Sequence, residues 1–277
     1  MTYEQAQERA RTRGVNRLVY GLARLLLFPF VKLVYRFTIA GAEHIPAEGA
    51  VIIAPNHKSF YDSFFVGMAT RRHVRFMAKY ELFEGRSARL LSMLGAFPVR
   101  RGQADPEALE TSRMVLRDGG VLALFPEGTR HRDPVALRAP HRGAGRLAIE
   151  LQAPIVPCAI HGSERLLIGP FPSFKRVSIS FAPAIPPAEL EATPEAAGDL
   201  IENQVWPEVE RQFHALSARR VGIAAGVAAL LTGGGIAVRA QQRSAKAARP
   251  SLRHPLGRTR RTPLQELLAR AGRRRRH

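Results

Sequence analysis

The stretch Val51-Ile52-Ile53-Ala54-Pro55-Asn56-His57-Lys58-Ser59-Phe60-Tyr61-Asp62 joins an apolar run to a polar turn holding a histidine and, five residues on, an aspartate. An unbroken apolar run of this kind reads as a strand buried on both faces. A histidine with a carboxylate to orient it is a way to build a general base. Spacing tests whether the two side chains can meet. On a continuous helix five residues advance about 500°, a net divergence of roughly 140°. They meet only when His57 lies in the turn and Asp62 in the first turn of the helix that follows. Ser59 suits an N-cap and Asp62 the N3 acid of a Ser-x-x-Asp capping box, which predicts a helix starting at Ser59. The same residues also read as a cap and a turn with no chemistry, so the rest of the chain has to decide.

Working outward, further apolar runs at Val74–Ala78, Val121–Phe125, Ile155–Ile160 and Val177–Phe181 alternate with helical segments. The pattern predicts an α/β domain over residues 41–217, a mostly buried sheet flanked by helices. One helix spans Pro106–Asp118, opened by Asp105-Pro106 and closed by Gly119-Gly120. A second covers Gly143–Leu151. A third covers 195–216, its stripe of Ile201, Val205, Val209, Phe213 and Leu216 facing the core and Pro207 kinking it.

Residues 1–40 read as N-terminal amphipathic helices. Within 17–37, Arg17, Arg24, Lys32 and Arg36 fall in an arc of roughly 120° at about 100° per residue, and the rest is apolar. That pattern suits a helix lying in a membrane interface, and equally one packed on its own domain. Pro29 is expected to divide it into two helices. Val221–Val238 is an uncharged, Gly-rich run, so residues 218–238 form a possible membrane segment, with Gly222-x-x-x-Gly226 suited to close helix packing. Residues 239–277 read as a largely disordered basic tail, in which thirteen arginines and lysines face Glu266 alone.

The formal net charge of the 277-residue chain is +19, which calls for an anionic partner such as a lipid headgroup surface or nucleic acid. Cys158 is the one cysteine, so no intramolecular disulfide or multi-cysteine metal site can form, and a reducing compartment fits. The histidines are not clustered at ligand spacing, and no metal is inferred. The N-terminus, with Glu4 and Glu8 ahead of its apolar run, does not read as a cleavable signal peptide. No aromatic stacking platform accompanies the basic tail, so nucleic acid is not the expected partner.

Three more local signals follow the His57–Asp62 turn. Gly95-Ala96-Phe97-Pro98-Val99-Arg100-Arg101-Gly102 reads as a loop presenting two guanidinium groups. The strand from Val121 delivers the tight turn Phe125-Pro126-Glu127-Gly128-Thr129-Arg130. Ala153-Pro154-Ile155-Val156-Pro157 opens a strand through a proline, which otherwise marks a sheet edge. Loops at the ends of buried strands are where α/β proteins place ligands.

In this order and at this separation the set resembles the glycerophospholipid acyltransferases, in particular bacterial 1-acyl-sn-glycerol-3-phosphate acyltransferases. Their four blocks look like Asn-His-x-Ser-x-x-Asp, Gly-x-x-x-Val-x-Arg, Phe-Pro-Glu-Gly-Thr-Arg and a Pro-rich strand. Asn56–Asp62, Gly95–Arg101, Phe125–Arg130 and Pro154–Pro157 match them, and the resemblance covers about residues 35–185. It implies that His57, held by Asp62, takes the proton from a glycerol hydroxyl as that oxygen attacks a thioester. Ser59 is left out as a nucleophile. The family pattern makes Arg101 and Arg130 the binders of the acceptor's phosphate, with Glu127, Gly128 and Thr129 shaping the turn and binding the glycerol. Arg100 stands where the family often has an acid and ranks below Arg101. His131 replaces a frequent Ser, and Pro140-His141 replaces a Phe-Lys pair, leaving Arg142 as a possible substitute for that lysine.

The implied function is transfer of an acyl group from acyl-CoA or acyl carrier protein, as co-substrate and with no bound cofactor, to 1-acyl-sn-glycerol 3-phosphate, giving phosphatidate. The setting is a membrane lipid acceptor on the cytoplasmic face of an anionic cell membrane. Alternatives are the same chemistry on glycerol 3-phosphate, another lysophospholipid or a glycolipid, and a non-catalytic anionic-lipid or nucleic-acid binding protein.

Overall fold

Residues 1–187 and 193–218 are described by a computed structural model. The Gly-rich segment from residue 219 onward and the basic tail lie outside the described residues.

The apolar run is the centre of the sheet. Strand β2 (Val51–Pro55) is wholly buried, flanked by β5 (Val121–Ala123) and β6 (Ile155–His161), both parallel to it. Beyond β5 come β3 (Val74–Lys79) and the edge strand β4 (Ala96–Val99), again parallel. On the other side β9 (Ser178–Phe181) pairs antiparallel with β6, and β1 (Thr38–Ala40) pairs parallel with β9, so the seven strands run in the order β1-β9-β6-β2-β5-β3-β4. A separate ribbon of β7 (Leu167–Ile168) and β8 (Phe171–Pro172) projects between β6 and β9 in the chain.

Alternation along β2 explains why its run is continuous rather than patterned. Val51 and Ile53 join one apolar cluster with Phe37, Phe65 and Val66. Ile52 and Ala54 point the opposite way into a second cluster with Leu116, Leu147 and Ile201. Side chains two apart share a face, so a strand with helices on both sides needs apolar residues at every position. Helices α2 (Arg17–Val34), α3 (Asp62–Ala69) and α4 (Ala88–Met93) cover the first face, while α5 (Pro106–Arg117), α6 (Gly143–Leu151) and α7 (Pro194–Asp199) cover the second. Asp105 caps α5 as its sequence predicts, its side chain accepting from Ala108 N at 3.0 Å.

Six expectations are corrected. Pro29 does not divide the N-terminal segment, because α2 is continuous through it. The carbonyl that loses its amide partner belongs to Leu25, which is 69% exposed, so water can serve it. Ahead of α2 lies α1 (Tyr3–Thr12), buried against the domain through Tyr3, Ala6, Gln7 and Ala10. Gln7 donates to the Pro98 carbonyl and Tyr3 to Asp105, so this helix faces the protein. The helix of the histidine turn starts at Asp62 rather than Ser59. Residues 59–62 form a separate turn, closed by Asp62 N donating to Ser59 O, before α3 begins. The stretch from Gly95 is not all loop, since β4 occupies Ala96–Val99. Pro98 is tolerated there because β4 is an edge. Pro157 marks no edge, because β6 is interior. It faces the β9 side, where its carbonyl accepts from Ala182 N. The third helix is not simply kinked. A π-helical turn, Leu200–Val205, separates α7 from helical residues 206–218 and directly precedes Pro207, whose missing N–H an α-helical register does not accommodate.

Helix α6 approaches α7 through Gly145, where a Cβ would stand 2.4 Å from the Ala197 carbonyl oxygen. Gly145→Ala should therefore lower stability by about 1–3 kcal/mol despite alanine's better helix propensity, as read by thermal or urea unfolding.

Candidate active site

Three of the motif regions meet at the C-terminal ends of β2, β4 and β5, whereas Pro154–Pro157 enters β6 at its opposite, N-terminal end. The turn after β2 begins with Asn56, whose side chain continues the pairing with β6. Its Nδ2 donates to Ile160 O at 3.0 Å, and its Oδ1 accepts from Ile160 N at 2.7 Å. This fixes where the chain leaves the sheet, and His57 follows at once.

His57 Nδ1 lies 3.0 Å from Asp62 Oδ2, with both side chains buried. The same Oδ2 accepts from the backbone N–H groups of Lys58 and Ser59, each at 2.6 Å. Asp62 Oδ1 accepts from Ser163 Oγ, also at 2.6 Å. With Oδ2 accepting at Nδ1, the ring is held as the tautomer with Nε2 free. Phe125, at the end of β5, stacks on the imidazole with centroids 4.1 Å apart, leaving the ring little freedom to turn.

Glu127 braces the site from below. Its Oε1 accepts from His57 N at 2.7 Å and its Oε2 from Arg138 N at 3.1 Å, so both oxygens of this buried carboxylate hold backbone. His131 N in turn donates to His57 O at 2.8 Å. Gly128 closes the Phe125 turn at φ 67°, where a Cβ would sit 2.9 Å from the His141 ring. Glycine avoids both the left-handed penalty and the clash.

Lys58 points away from the site, its Nζ donating to Asp133 O at 2.6 Å and to Ala136 O, over the face of Phe213 at 4.9 Å. Burial lowers its pKa, against the raising effect of Glu127 and other carboxylates. It ties the 131–138 loop to the histidine turn.

Arg101 and Arg130 line the same cavity as His57, a space of about 100 Å³ walled by Phe60, Phe64, Met77 and Phe125. Neither guanidinium makes a side-chain hydrogen bond or ion pair among the described residues. Burial, and then the charge on Arg130, pull the Arg101 pKa below the ordinary arginine value, with Glu81 acting the other way. Two unpaired cations that destabilise one another define a place for an anion, because a phosphate relieves their repulsion and accepts from both forks. Gly128 and Thr129 line an adjoining cavity of about 590 Å³ that shares Arg101 and Phe125.

Arg100 and Arg142 are engaged elsewhere. The Arg100 guanidinium stacks on Tyr3 at 3.8 Å and pairs with Glu4. Arg142 Nε lies 3.3 Å from Glu202 on the π-helical turn, so it does not take the place of the lysine. Ser163 was not legible in the sequence, since it lies 101 residues from its partner, Asp62. Its one signal is position, two residues past the end of the strand beside β2.

Known proteins share this arrangement of sequence and fold. Residues 36–161 match the family described as Acyltransferase. That stretch carries His57, Asp62, Arg101 and the Phe125–Arg130 turn, and the chain is similar in sequence to 1-acyl-sn-glycerol-3-phosphate acyltransferases. It is 34% identical over 122 residues to 1-acyl-sn-glycerol-3-phosphate acyltransferase of Bacillus subtilis, covering 43% of this chain and 60% of that protein. It is 32% identical over 151 residues to the sheep (Ovis aries) 1-acyl-sn-glycerol-3-phosphate acyltransferase alpha, covering 52% of each. The chain thus spans roughly half to three-fifths of the length of these curated relatives. The fold is shared with the crystal structure of the 1-acyl-sn-glycerophosphate acyltransferase of Thermotoga maritima, at a TM-score of 0.57 and 22% identity, covering 76% of this chain and 83% of that one.

Inorganic phosphate should raise the melting temperature of the protein, by about 2.7 kcal/mol of added stability at a hundredfold its Kd. In Arg101→Gln/Arg130→Gln that shift should vanish, which thermal unfolding across a phosphate titration would read.

Proposed function

We propose that this protein transfers an acyl group from an acyl thioester, on coenzyme A or acyl carrier protein, to the free hydroxyl of 1-acyl-sn-glycerol 3-phosphate, forming phosphatidate. What carries the reading is a single juxtaposition. A histidine held through Nδ1 by a buried aspartate lines one cavity together with two unpaired guanidinium groups. One feature suits a hydroxyl and the other a phosphate, and the acceptor bears both.

In the proposed reaction His57 Nε2 takes the hydroxyl proton as that oxygen attacks the thioester carbonyl. Asp62 stabilises the imidazolium that forms, and the departing thiolate takes the proton back from it. No covalent intermediate on the protein is needed. Arg101 and Arg130 bind the acceptor's phosphate and so set its hydroxyl near Nε2. Glu127 and Gly128 act by shaping the Phe125–Arg130 turn, and Thr129 lies where the substrate pair would pass. Ser163 is a positioning residue acting through Asp62.

Peripheral attachment to a membrane is part of the reading. Among the described residues no helix is long and apolar enough to cross a membrane. Helix α2 nonetheless exposes Leu18, Leu25, Leu26 and Leu33, at 69–81%, with Lys32 and Arg36 beside them. An interfacial helix with basic flanks fits that surface. The basic tail adds attraction to an anionic, cytoplasmic leaflet.

Thioester-dependent acylation of lysophosphatidate should fall at least ~10²-fold in His57→Ala. Equal turnover by wild type and variant would overturn the reading. Ser163→Ala should lower kcat about tenfold and leave the acceptor KM unchanged, because it loses one hydrogen bond to the orienting carboxylate. Arg130→Gln should chiefly raise the acceptor KM. A parallel panel with glycerol 3-phosphate separates the acceptors that share this headgroup.

A further inference from the structure

Beyond the helices and the catalytic turn, the ribbon of β7 and β8 has no structural purpose visible in the fold. It adds no strand to the main sheet, and several of its apolar side chains are exposed. Leu167, Ile168 and Phe171 are 48%, 69% and 71% exposed, and Phe174 just beyond it is 62% exposed. A two-stranded ribbon is marginal in water by itself, and four large apolar groups at one tip are a surface kept for something. It is also held in place at some cost. Phe174 and Arg36 both adopt positive φ, 52° and 45°, which side chains of their size rarely do. The two are tied together by Arg36 Nη2 donating to Phe174 O at 2.9 Å, while Tyr35 Oη donates to Leu166 O at 3.2 Å.

Those bonds fix the ribbon beside the C-terminal end of α2. The two elements share an apolar groove of about 430 Å³, to which α2 contributes Leu27 and Phe30, the ribbon Leu167 and Pro172, and α3 Phe64 and Met68. Phe64 also walls the His57 cavity, so the groove and the site meet at one side chain. Arg165 and Lys175 flank the ribbon in the chain, and Arg36 is bonded to it at Phe174. Glu164 answers Lys175 at 3.5 Å, but Arg165 and Lys32 have no ion pair among the described residues. An apolar tip with cations at the ends of the ribbon matches the layering of an anionic leaflet, hydrocarbon beneath phosphate.

We infer that the β7–β8 ribbon inserts its tip, Ile168 and Phe171, into an anionic lipid leaflet as a second membrane contact beside α2. The two contacts straddle the groove, so a lipid can pass from the leaflet toward His57 between them. The inference rests on the membrane reading proposed above and adds a separate element to it.

The test uses the full chain, because the basic tail binds vesicles whatever the ribbon does. Ile168→Cys can be labelled selectively with an environment-sensitive dye, since Cys158, the one native cysteine, is buried. On vesicles of phosphatidylcholine and phosphatidylglycerol, the label should shift to the blue and be quenched by nitroxides on the lipid acyl chains. A label at Glu195→Cys, exposed on α7 across the sheet, should not. Ile168→Asp/Phe171→Asp should weaken vesicle binding about tenfold. Its turnover of a short-chain acceptor in free solution should match wild type. A label at 168 that stays in water while one at Leu26→Cys is quenched would overturn the inference. So would a concentration-dependent dimer that the double Asp variant abolishes, for that would give the ribbon to a second copy of the chain. Quenching at 168 without any acylation would uphold the lipid contact and sink the activity instead.

Discussion

The buried carboxylate of Asp62 is the constraint on which the site depends. A carboxylate removed from water is costly unless its lone pairs are met. Here the donors are His57, Lys58, Ser59 and Ser163, drawn from the turn that follows β2 and the segment that follows β6. The same bonds that make the ion tolerable also fold the turn back on itself. Orientation of the imidazole and stability of the turn are therefore one set of interactions, since Asp62 opens α3 and braces the turn before it rather than capping a helix from Ser59.

The rest of the fold delivers partners to that turn. Parallel strands end on the same side, so β2, β4 and β5 bring His57, Arg101 and the Phe125–Arg130 turn to one rim although 73 residues separate His57 from Arg130. Glu127 joins two of these pieces by holding His57 N, and Lys58 joins a third by holding the 131–138 loop. Two ionisable groups in the motif region thus serve mainly to place backbone. The two guanidinium groups differ from them in having no carboxylate of their own, which is why the ligand is expected to supply the negative charge.

The asymmetry of the surface follows from the same architecture. Helices α5, α6 and α7 bury one face of the sheet thoroughly, whereas α2 covers the other with Tyr20 and Val31 inward and most of its leucines outward. The ribbon after β6 repeats this outward apolar exposure beside it. Both lie on the side where the groove opens toward Phe64, so the face that lacks protein cover is also the face nearest the site.

Much of this was legible in the chain because it depends on local chemistry. Unbroken apolar runs announced a sheet covered on both sides, Asp105-Pro106 announced α5, and the His57-to-Asp62 spacing demanded a turn that the structure contains. What the sequence determined by itself was therefore five of the seven strands of the main sheet, the principal helices and the pairing of two residues five apart, since these rest on periodicity, caps and short-range geometry. Tertiary structure decided what depends on distant neighbours. Whether Pro29 breaks a helix turns on whether water reaches the Leu25 carbonyl, and whether Arg142 is available turns on Glu202. Ser163 reaches Asp62 only because β6 lies beside β2, and Glu127 spends its charge on backbone only because β5 lies on the other side. A hydrogen bond between residues so far apart in the chain exists only once the strands that carry them have paired, and no pattern of residue types along the sequence encodes that distance.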